Sequence, residues 1–531
     1  LEAQYIDHKD TGFFSKLVTD YLADNSQLQA FYNYRPNEDG LAKAIEERAK
    51  YPINREVLVK TLKRQYENLE ITPSVQENIE LLKENNTFTV CTAHQPNLMS
   101  GYLYFFYKII HAIKLAHFLK EQHPYKNFVP VFYVGSEDND LDELSVFKFG
   151  DEKYRWTTDQ KGAVGRMSTH DLFPLLELLK SKIGLSTKNA EHLQQVITAA
   201  YEGEKTITDA TRFLINAFLG KYGIVVLDAD DHDLKACFIP VLKAELTQPK
   251  SMDLVTETSL NLNRHYKAQA YSRPINLFYL KDDIRERIEQ KDEKWVVVNT
   301  DIHWNTQKEL ENEVEQFPER FSPNVILRGL YQESILPNVA FIGGGSEVAY
   351  WMQLKSLFAH YHVFFPAIIL RQSALWMNKK ECELQEKLNL SNAELFLPDA
   401  SLKKHFLLRN SKNDLDLSNE REQIKDIIEK IKVKAKNIDQ TLQDSAAATF
   451  TKINYQLSIL EKKMLKAEKR NQAIQMQQID DLKKHSFPNH TLQERHDTFL
   501  PFYLDYGMAY FETLFQTTTA FGDEFLILKT Q

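Results

Sequence analysis

The residues with most chemical promise lie where short apolar runs end. The first group is Thr92–Ala93–His94–Gln95–Pro96–Asn97, followed by Ser100, Gly101, Tyr102 and Tyr104, with Lys108 further on. An imidazole at His94 suits acid or base work near neutral pH, although a loop histidine bonded to backbone would read the same way. Lys108 could meet a phosphate or a carboxylate. The second group, Ser136–Glu137–Asp138–Asn139–Asp140 with Asp142 and Glu143, directly follows the apolar run Val129–Val134. Carboxylates gathered at the end of a buried strand repel one another unless an ammonium group or a metal neutralises them. A helix N-terminus accounts for Asp142 and Glu143 but not for Glu137 and Asp138, which become candidates, with magnesium as one partner. The third group is Gly343–Gly344–Gly345–Ser346–Glu347. Amides of a glycine-rich turn at a helix start can hold an anion, but the spacing matches neither the Walker pattern nor G-x-G-x-x-G, and a tight structural turn is the plain alternative. Asp228, Asp230 and Asp231 follow another apolar run, as a further rim of the same cleft or as a solvated loop. Cys91 invites a nucleophile reading, but its place between Val90 and Thr92 in an apparent strand favours a buried thiol.

These groups need a scaffold that brings strand ends together. Residues 1 to about 85 read as helices with polar breaks, as at Gly40–Lys50 and Arg55–Leu69. Strand-like runs then alternate with helical patterns: Thr87–Thr92, Phe128–Gly135, Gly223–Leu227, Trp295–Val298, Val339–Ile342 and Phe364–Leu370. Such alternation implies βαβ units and a largely parallel sheet, with ligands expected beyond the carboxyl ends of its strands. β-Rich patches at Phe149–Trp156 and Ile275–Leu280 suggest insertions. From about Ser418 the period changes: Ile424, Ile428, Ile431, Ala435, Ile438 and Leu442, then Phe450, Ile453, Leu457, Leu460, Met464 and Ala467, follow heptad spacing among charged residues. A coiled coil follows, folded back at a tip over Asp444–Thr449, and Pro488 ends its last helix.

The chain has 531 residues, enough for more than one core, and a net charge of -9 that argues against general nucleic-acid binding. The basic stretch Lys462–Arg470 reads as a solvated helix face. Three scattered cysteines without a C-x-x-C pair fit reduced, buried thiols. No run of 18 apolar residues is present and residues 1–16 lack the pattern of a secretory signal, so a cytoplasmic protein without a membrane span is expected.

The stretches TAHQPNLMSGYLYFFYK, FVPVFYVGSEDNDLDEL, NLFYL, ILPNVAFIGGGSEVAYW, FPAIILRQS and FPNHTLQER run in order from Thr92 to Arg495. Together they resemble the bacillithiol biosynthesis cysteine-adding enzymes, also described as cysteine ligases. The resemblance implies an α/β fold: a Rossmann-like parallel-sheet core with inserted connecting segments, plus an α-helical antiparallel coiled-coil domain through which two copies form a homodimer. The expected layout is an N-terminal helical segment over 1–85, the core over 86–385 with insertions near 149–215 and 255–295, the coiled-coil domain over 386–485, and a tail over 486–531 packing on the body. The implied reaction adds L-cysteine to glucosaminyl-malate, the last step of bacillithiol formation.

Amide formation needs an activated carboxyl, so ATP is the expected cofactor, with magnesium beside Glu137 and Asp138. In that scheme Lys108 and the amides of Gly343, Gly344 and Gly345 hold phosphate or malate oxygens. Glu137 and Asp138 bind the cysteine ammonium or the metal, His94 takes a proton from the attacking amine, and Arg371 pairs with a carboxylate. Gln95, Gly101, Tyr104, Asp140 and Glu347 complete the expected binding set. Two positions depart from the family pattern: many relatives carry Gln in place of His94 and His in place of Asn139. Two rival readings are a metal-dependent group transfer on a phosphorylated sugar, with Glu137, Asp138 and Asp140 holding the metal, and a coiled-coil scaffold whose body only binds a ligand.

Overall fold

Five short segments are apolar along both faces, as strands must be when helices cover each side of a parallel sheet. In the computed structural model, which describes residues 1–203, 205–281 and 283–530, they are β1 (Thr87–His94), β2 (Asn127–Val134), β3 (Val225–Asp228), β4 (Asn338–Gly343) and β5 (Ala367–Leu370). They form one parallel five-stranded sheet in the order β5-β4-β1-β2-β3. The order runs outward from β1 to β3, then returns to the other side of β1 for β4 and β5. Side chains alternate between two cores: Phe88 and Val90 face one with Ile342 and Ile369, whereas Cys91 and Ala93 face the other with Phe341 and Ile368.

The helix α1 (Tyr104–Gln122) connects β1 to β2 and is buried along Phe105, Phe106, Ile109, Ile110 and Ile113. Between β2 and β3 lie a hairpin, Val146–Phe149 with Glu152–Arg155, and helices at Phe173–Ile183, Lys188–Tyr201 and Ile207–Leu219. Between β3 and β4 an antiparallel sheet is inserted, built from Leu277–Lys281, Ile284–Lys291, Lys294–Val297, His303–Trp304 and Phe321–Pro323. Trp295–Val298, expected among the alternating parallel strands, therefore belongs to this separate sheet. Along it Trp295 and Val297 are buried while Lys294 is exposed and Val296 partly so, which fits a sheet with one covered face.

The helix α2 (Val325–Ile335) leads into β4, and α3 (Gly345–Trp351) follows it. The N-terminus departs from the helical expectation, because Glu2–Asp7 is a strand paired antiparallel with Glu524–Lys529. Ala374–Met377 pairs with the same C-terminal strand in parallel, so both chain ends meet in one three-stranded sheet. The sheet feeds a third core in which Leu375, Met377, Phe525 and Ile527 pack with Leu395, Phe406 and Leu482. The aromatic tail does return to the body: Phe499 and Phe511 meet Phe106 of α1 edge-on, at 4.9 and 4.8 Å between ring centres.

The coiled coil is an antiparallel hairpin of Ser418–Ile438 and Leu442–Asn471. Its arms are matched by Arg421, which donates to the Asn454 carbonyl at 3.1 Å and to Glu461 at 2.9 Å. The tip lies at residues 439–441, earlier than expected, where the Asp439 carboxylate accepts from the Thr441 amide at 2.7 Å. The triple alanine that breaks the heptad register is helical instead, since alanine has the strongest intrinsic helix preference. Leu442 accordingly starts the second helix. The helix ends at Asn471, and Ala473–Ser486 continues in a new direction before Pro488. The three cysteines are free; Cys91 is buried, but Cys237 and Cys382 are only partly so. Among the described residues, no helix is long and apolar enough to cross a membrane.

Candidate active site

The strand order reverses between β1 and β4, and side chains cannot fill the gap that opens where connections leave in opposite directions. A cavity of about 370 Å³ lies there. It is lined from the end of β1 by His94 and Gln95, from β2 by Glu137 and Asp138, from β4 by Gly344 and Glu347, and from β5 by Arg371, with Tyr104 and Lys108 from α1. The structure thus brings these predicted residues together. It does not bring in Gly101, Asp140 or Gly343, and Gly345 lines a smaller adjoining hollow of about 160 Å³. Gly101 takes a positive φ of 64° in the turn before α1, packed against Asn97. Asp140 caps the short helix Leu141–Leu144 by accepting from the Glu143 amide at 3.1 Å. A β-carbon on Gly343 would collide with Glu347 and Phe341, so its role is close packing.

Most charges in the cavity are already matched by the protein. Lys108 is buried, donates to the Ala93 carbonyl at 2.9 Å and lies 2.5 Å from Glu347. The carboxylate expected for Lys108 is therefore Glu347, which also accepts from the Gly344 amide at 2.8 Å. That amide is unavailable to a ligand anion, so the glycine turn is less of an anion site than its composition suggests. Arg371 likewise finds its carboxylate within the chain: Nη2 lies 2.5 Å from Glu494, and Nη1 donates to Ser373 at 3.1 Å. Glu137 pairs with the ammonium group of Lys235, which also donates to the Phe321 carbonyl at 2.9 Å. Asp138 accepts from Gln95 at 3.1 Å and from the Asn139 amide at 2.8 Å, with Arg285 3.7 Å away.

This pairing weighs against a magnesium cage at Glu137 and Asp138, because a lysine already occupies the position of a cation. Asp140 points elsewhere, so the three-carboxylate metal set is not assembled. Among the described residues no group of three or more His, Cys, Asp or Glu could hold a metal ion. Asp228 and Asp230 form a bracing network below the acidic loop. Asp228 accepts from Ser136 at 2.5 Å, and Asp230 takes a two-point contact from Arg166 at 2.6 and 2.7 Å. Burial, with Asp230 nearby, pushes Asp228 up to about 7.

His94 lines the cavity between Tyr104 and Phe105, and its Nδ1 lies 3.1 Å from the Gln95 carbonyl. Burial, reinforced by Lys108, lowers its pKa to about 4. The imidazole is therefore neutral at pH 7, able to accept a proton but holding none to donate as an acid. Incoming negative charge would raise its basicity, since opposite charge favours the protonated form. Cys91 is fully enclosed in β1 and does not line the cavity, and burial pushes its thiol well above the usual range, in line with a buried structural thiol.

Sequence reasoning missed Arg285, Arg328 and Arg495, all of which line the cavity. Arg285 sits on a strand of alternating charges that reads as solvated. Arg328 carried the one usable signal: it is a lone cation inside the otherwise apolar start of α2.

Comparison with known proteins gives concordant matches over almost the whole chain. The family described as bacillithiol biosynthesis BshC, N-terminal Rossmann-like domain, matches residues 1–372, and its C-terminal coiled-coil domain matches residues 374–530. Three curated relatives bear the name "Putative cysteine ligase BshC". That of Flavobacterium johnsoniae is 43% identical, over 94% of this chain and 95% of its own. That of Flavobacterium psychrophilum is 40% identical, over 94% of each chain. That of Christiangramia forsetii is 39% identical, over 98% of each chain.

Two outcomes follow from the electrostatics. Glu494→Gln leaves the Arg371 guanidinium uncompensated in a closed interior, and urea denaturation is expected to register a loss of about 3 kcal/mol. Stability should also fall as pH drops from 6.5 toward 4. His94 and His111 are held near about 4 in the folded state, below their ordinary 6.5. Over that window the unfolded chain takes up protons that the folded chain refuses. NMR of labelled histidine should show His94 neutral down to pH 5, and a midpoint above 6 would contradict its burial.

Proposed function

Because the chain belongs to the bacillithiol biosynthesis BshC family, we propose that it joins the carboxyl group of L-cysteine to the amine of glucosaminyl-malate. It is a ligase, and a cysteine ligase of bacillithiol biosynthesis. The observation that best supports the finer reading is the cavity at the reversal of strand order, where polar groups from four strand ends converge with an excess of cationic side chains.

Joining a carboxylate to an amine in water requires activation, and ATP is the proposed source. A carboxylate oxygen would attack one phosphorus of ATP, breaking the bond from that phosphorus to its bridging oxygen, and ADP or pyrophosphate would leave with the electron pair. The glucosamine nitrogen then attacks the carbonyl carbon, and the phosphate-bearing oxygen leaves with the electron pair of the broken C–O bond. The nitrogen gives up its proton as the amide forms. Asp138, exposed to the cavity and only distantly paired, suits the cysteine ammonium. His94 suits the departing proton, because it is uncharged and becomes more basic once anionic substrates are bound. Lys108, Glu137 and Arg371 act through their internal partners as fixed walls that hold these groups in place. Three free cysteines suit the reducing cytoplasm, which is the compartment proposed.

A homodimer through the coiled coil is part of this reading. Ile427, Ile431 and Ile438 leave 55%, 47% and 81% of their surface exposed on one face of one hairpin arm, an apolar stripe that a second copy would cover. Sedimentation analysis should find a dimer, with Ile431→Asp/Ile438→Asp shifting it to monomer; a monomeric parent protein would count against the arrangement.

Mass spectrometry of thiols in cells lacking the gene, fed labelled cysteine, tests the reaction. Loss of bacillithiol with accumulation of glucosaminyl-malate is expected, and an unchanged thiol pool would refute the assignment.

A further inference from the structure

Of the cations that line the cavity, Lys108 and Arg371 lie 2.5 Å from a protein carboxylate and Arg285 lies 3.7 Å from Asp138, while Arg495 is exposed to solvent. Arg328 makes no ion pair among the described residues. Its Nη2 donates to the Tyr350 hydroxyl at 2.6 Å and its Nη1 reaches Gln332 at 3.4 Å, both neutral partners. Its guanidinium carbon lies 5.8 Å from the centre of the Tyr133 ring. Glu347 acts on Arg328 only at longer range and is already paired with Lys108 at 2.5 Å; a charge taken from water without an ion pair of its own is costly, and an anionic ligand would supply that pair. The Tyr133 hydroxyl makes the same point independently: it is enclosed, borders the same cavity, and has no hydrogen-bond partner. Leaving a buried polar group unsatisfied is unfavourable unless a bound molecule completes it.

We propose that Arg328, with the hydroxyls of Tyr133 and Tyr350, receives a carboxylate of the conjugated diacid and so sets the preference for a malate-bearing sugar. The assignment rests on the ligase reading above. A planar guanidinium fork flanked by two hydroxyl donors matches a planar two-oxygen anion. A nucleotide phosphate is better served by free backbone amides, and the Gly344 amide is taken by Glu347 at 2.8 Å. Burial raises the phenol of Tyr133 well above its ordinary range, so it stays a donor. Tyr350 accepts from Arg328 through oxygen and keeps its own proton to give.

Calorimetry of the full chain with glucosaminyl-malate and its malyl dimethyl ester tests this without turnover. The parent protein is expected to prefer the diacid by about 100-fold, the scale of a lost buried charge pair. Arg328→Met should abolish that preference. Arg328→Lys should restore part of it, because an ammonium group supplies charge without the fork. Tyr133→Phe should weaken diacid binding about tenfold without lowering Tm, since the deleted oxygen has no partner in the free protein; a merely structural hydroxyl would behave the opposite way. Diacid binding unchanged in Arg328→Met, or lost affinity for ATP instead, overturns the proposal. Discrimination as expected without cysteine amide formation would refute the ligase reading and leave the receptor intact. Amide formation with equal affinity for diacid and ester would refute the receptor alone.

Discussion

A guanidinium enclosed away from water demands a counter-charge, and the pairing of Arg371 with Glu494 meets that demand across 123 residues of chain. Arg371 immediately follows β5, at the rim of the cavity, and Glu494 lies beyond the coiled coil in the turn that carries Arg495. Glu494 also accepts from the Ser373 hydroxyl at 3.2 Å and the Ala374 amide at 3.1 Å, which fixes the start of the strand Ala374–Met377. That strand joins the two chain ends in a single sheet. One buried pair therefore couples the cleft wall, the closure of the chain ends and the attachment of the helical domain.

Around that anchor the cavity is assembled from parts with no other reason to meet. The parallel sheet supplies strand ends, and the antiparallel insertion leans Arg285 over the acidic loop, where it donates to Asn139 at 3.1 Å. The first insertion braces the same loop from below: Val164 donates to the Asp138 carbonyl at 2.7 Å and Gly165 to that of Ser136 at 2.9 Å. A side chain at Gly165 would collide with Ser136, so close backbone approach is the condition for the brace. Internal pairing of Lys108, Glu137 and Arg371 makes the walls stiff and charge-balanced. The groups left unmatched are then informative, since they mark where a ligand must contribute.

Much of this was legible in the sequence. Apolar runs ending in polar clusters identified β1, β2, β4 and β5 and the residues that follow them, because burial on both faces leaves an unmistakable composition. Heptad spacing identified the coiled coil. Less was legible where one residue type serves two purposes. Alanines that break a heptad seam can still be helical, which moved the hairpin tip to 439–441. Carboxylates after β2 call for an ammonium group or a metal, and the sequence leaves both open; the Lys235 ammonium beside Glu137 comes from a distant segment that spacing does not reveal.

By itself the sequence determined most of the strands and helices, though not the N-terminal strand Glu2–Asp7, together with which clusters sit at strand ends and the family to which the ordered motifs point. These are properties of local composition and period, which need no knowledge of distant neighbours. Only the tertiary structure decided the strand order, the partner of each charge, and hence which charges at the cavity lack one. Arg371 and Glu494, or Lys235 and Glu137, carry no mark of each other along the chain; ion pairing depends on distance in space and on exclusion of water, and both arise only when the cores close.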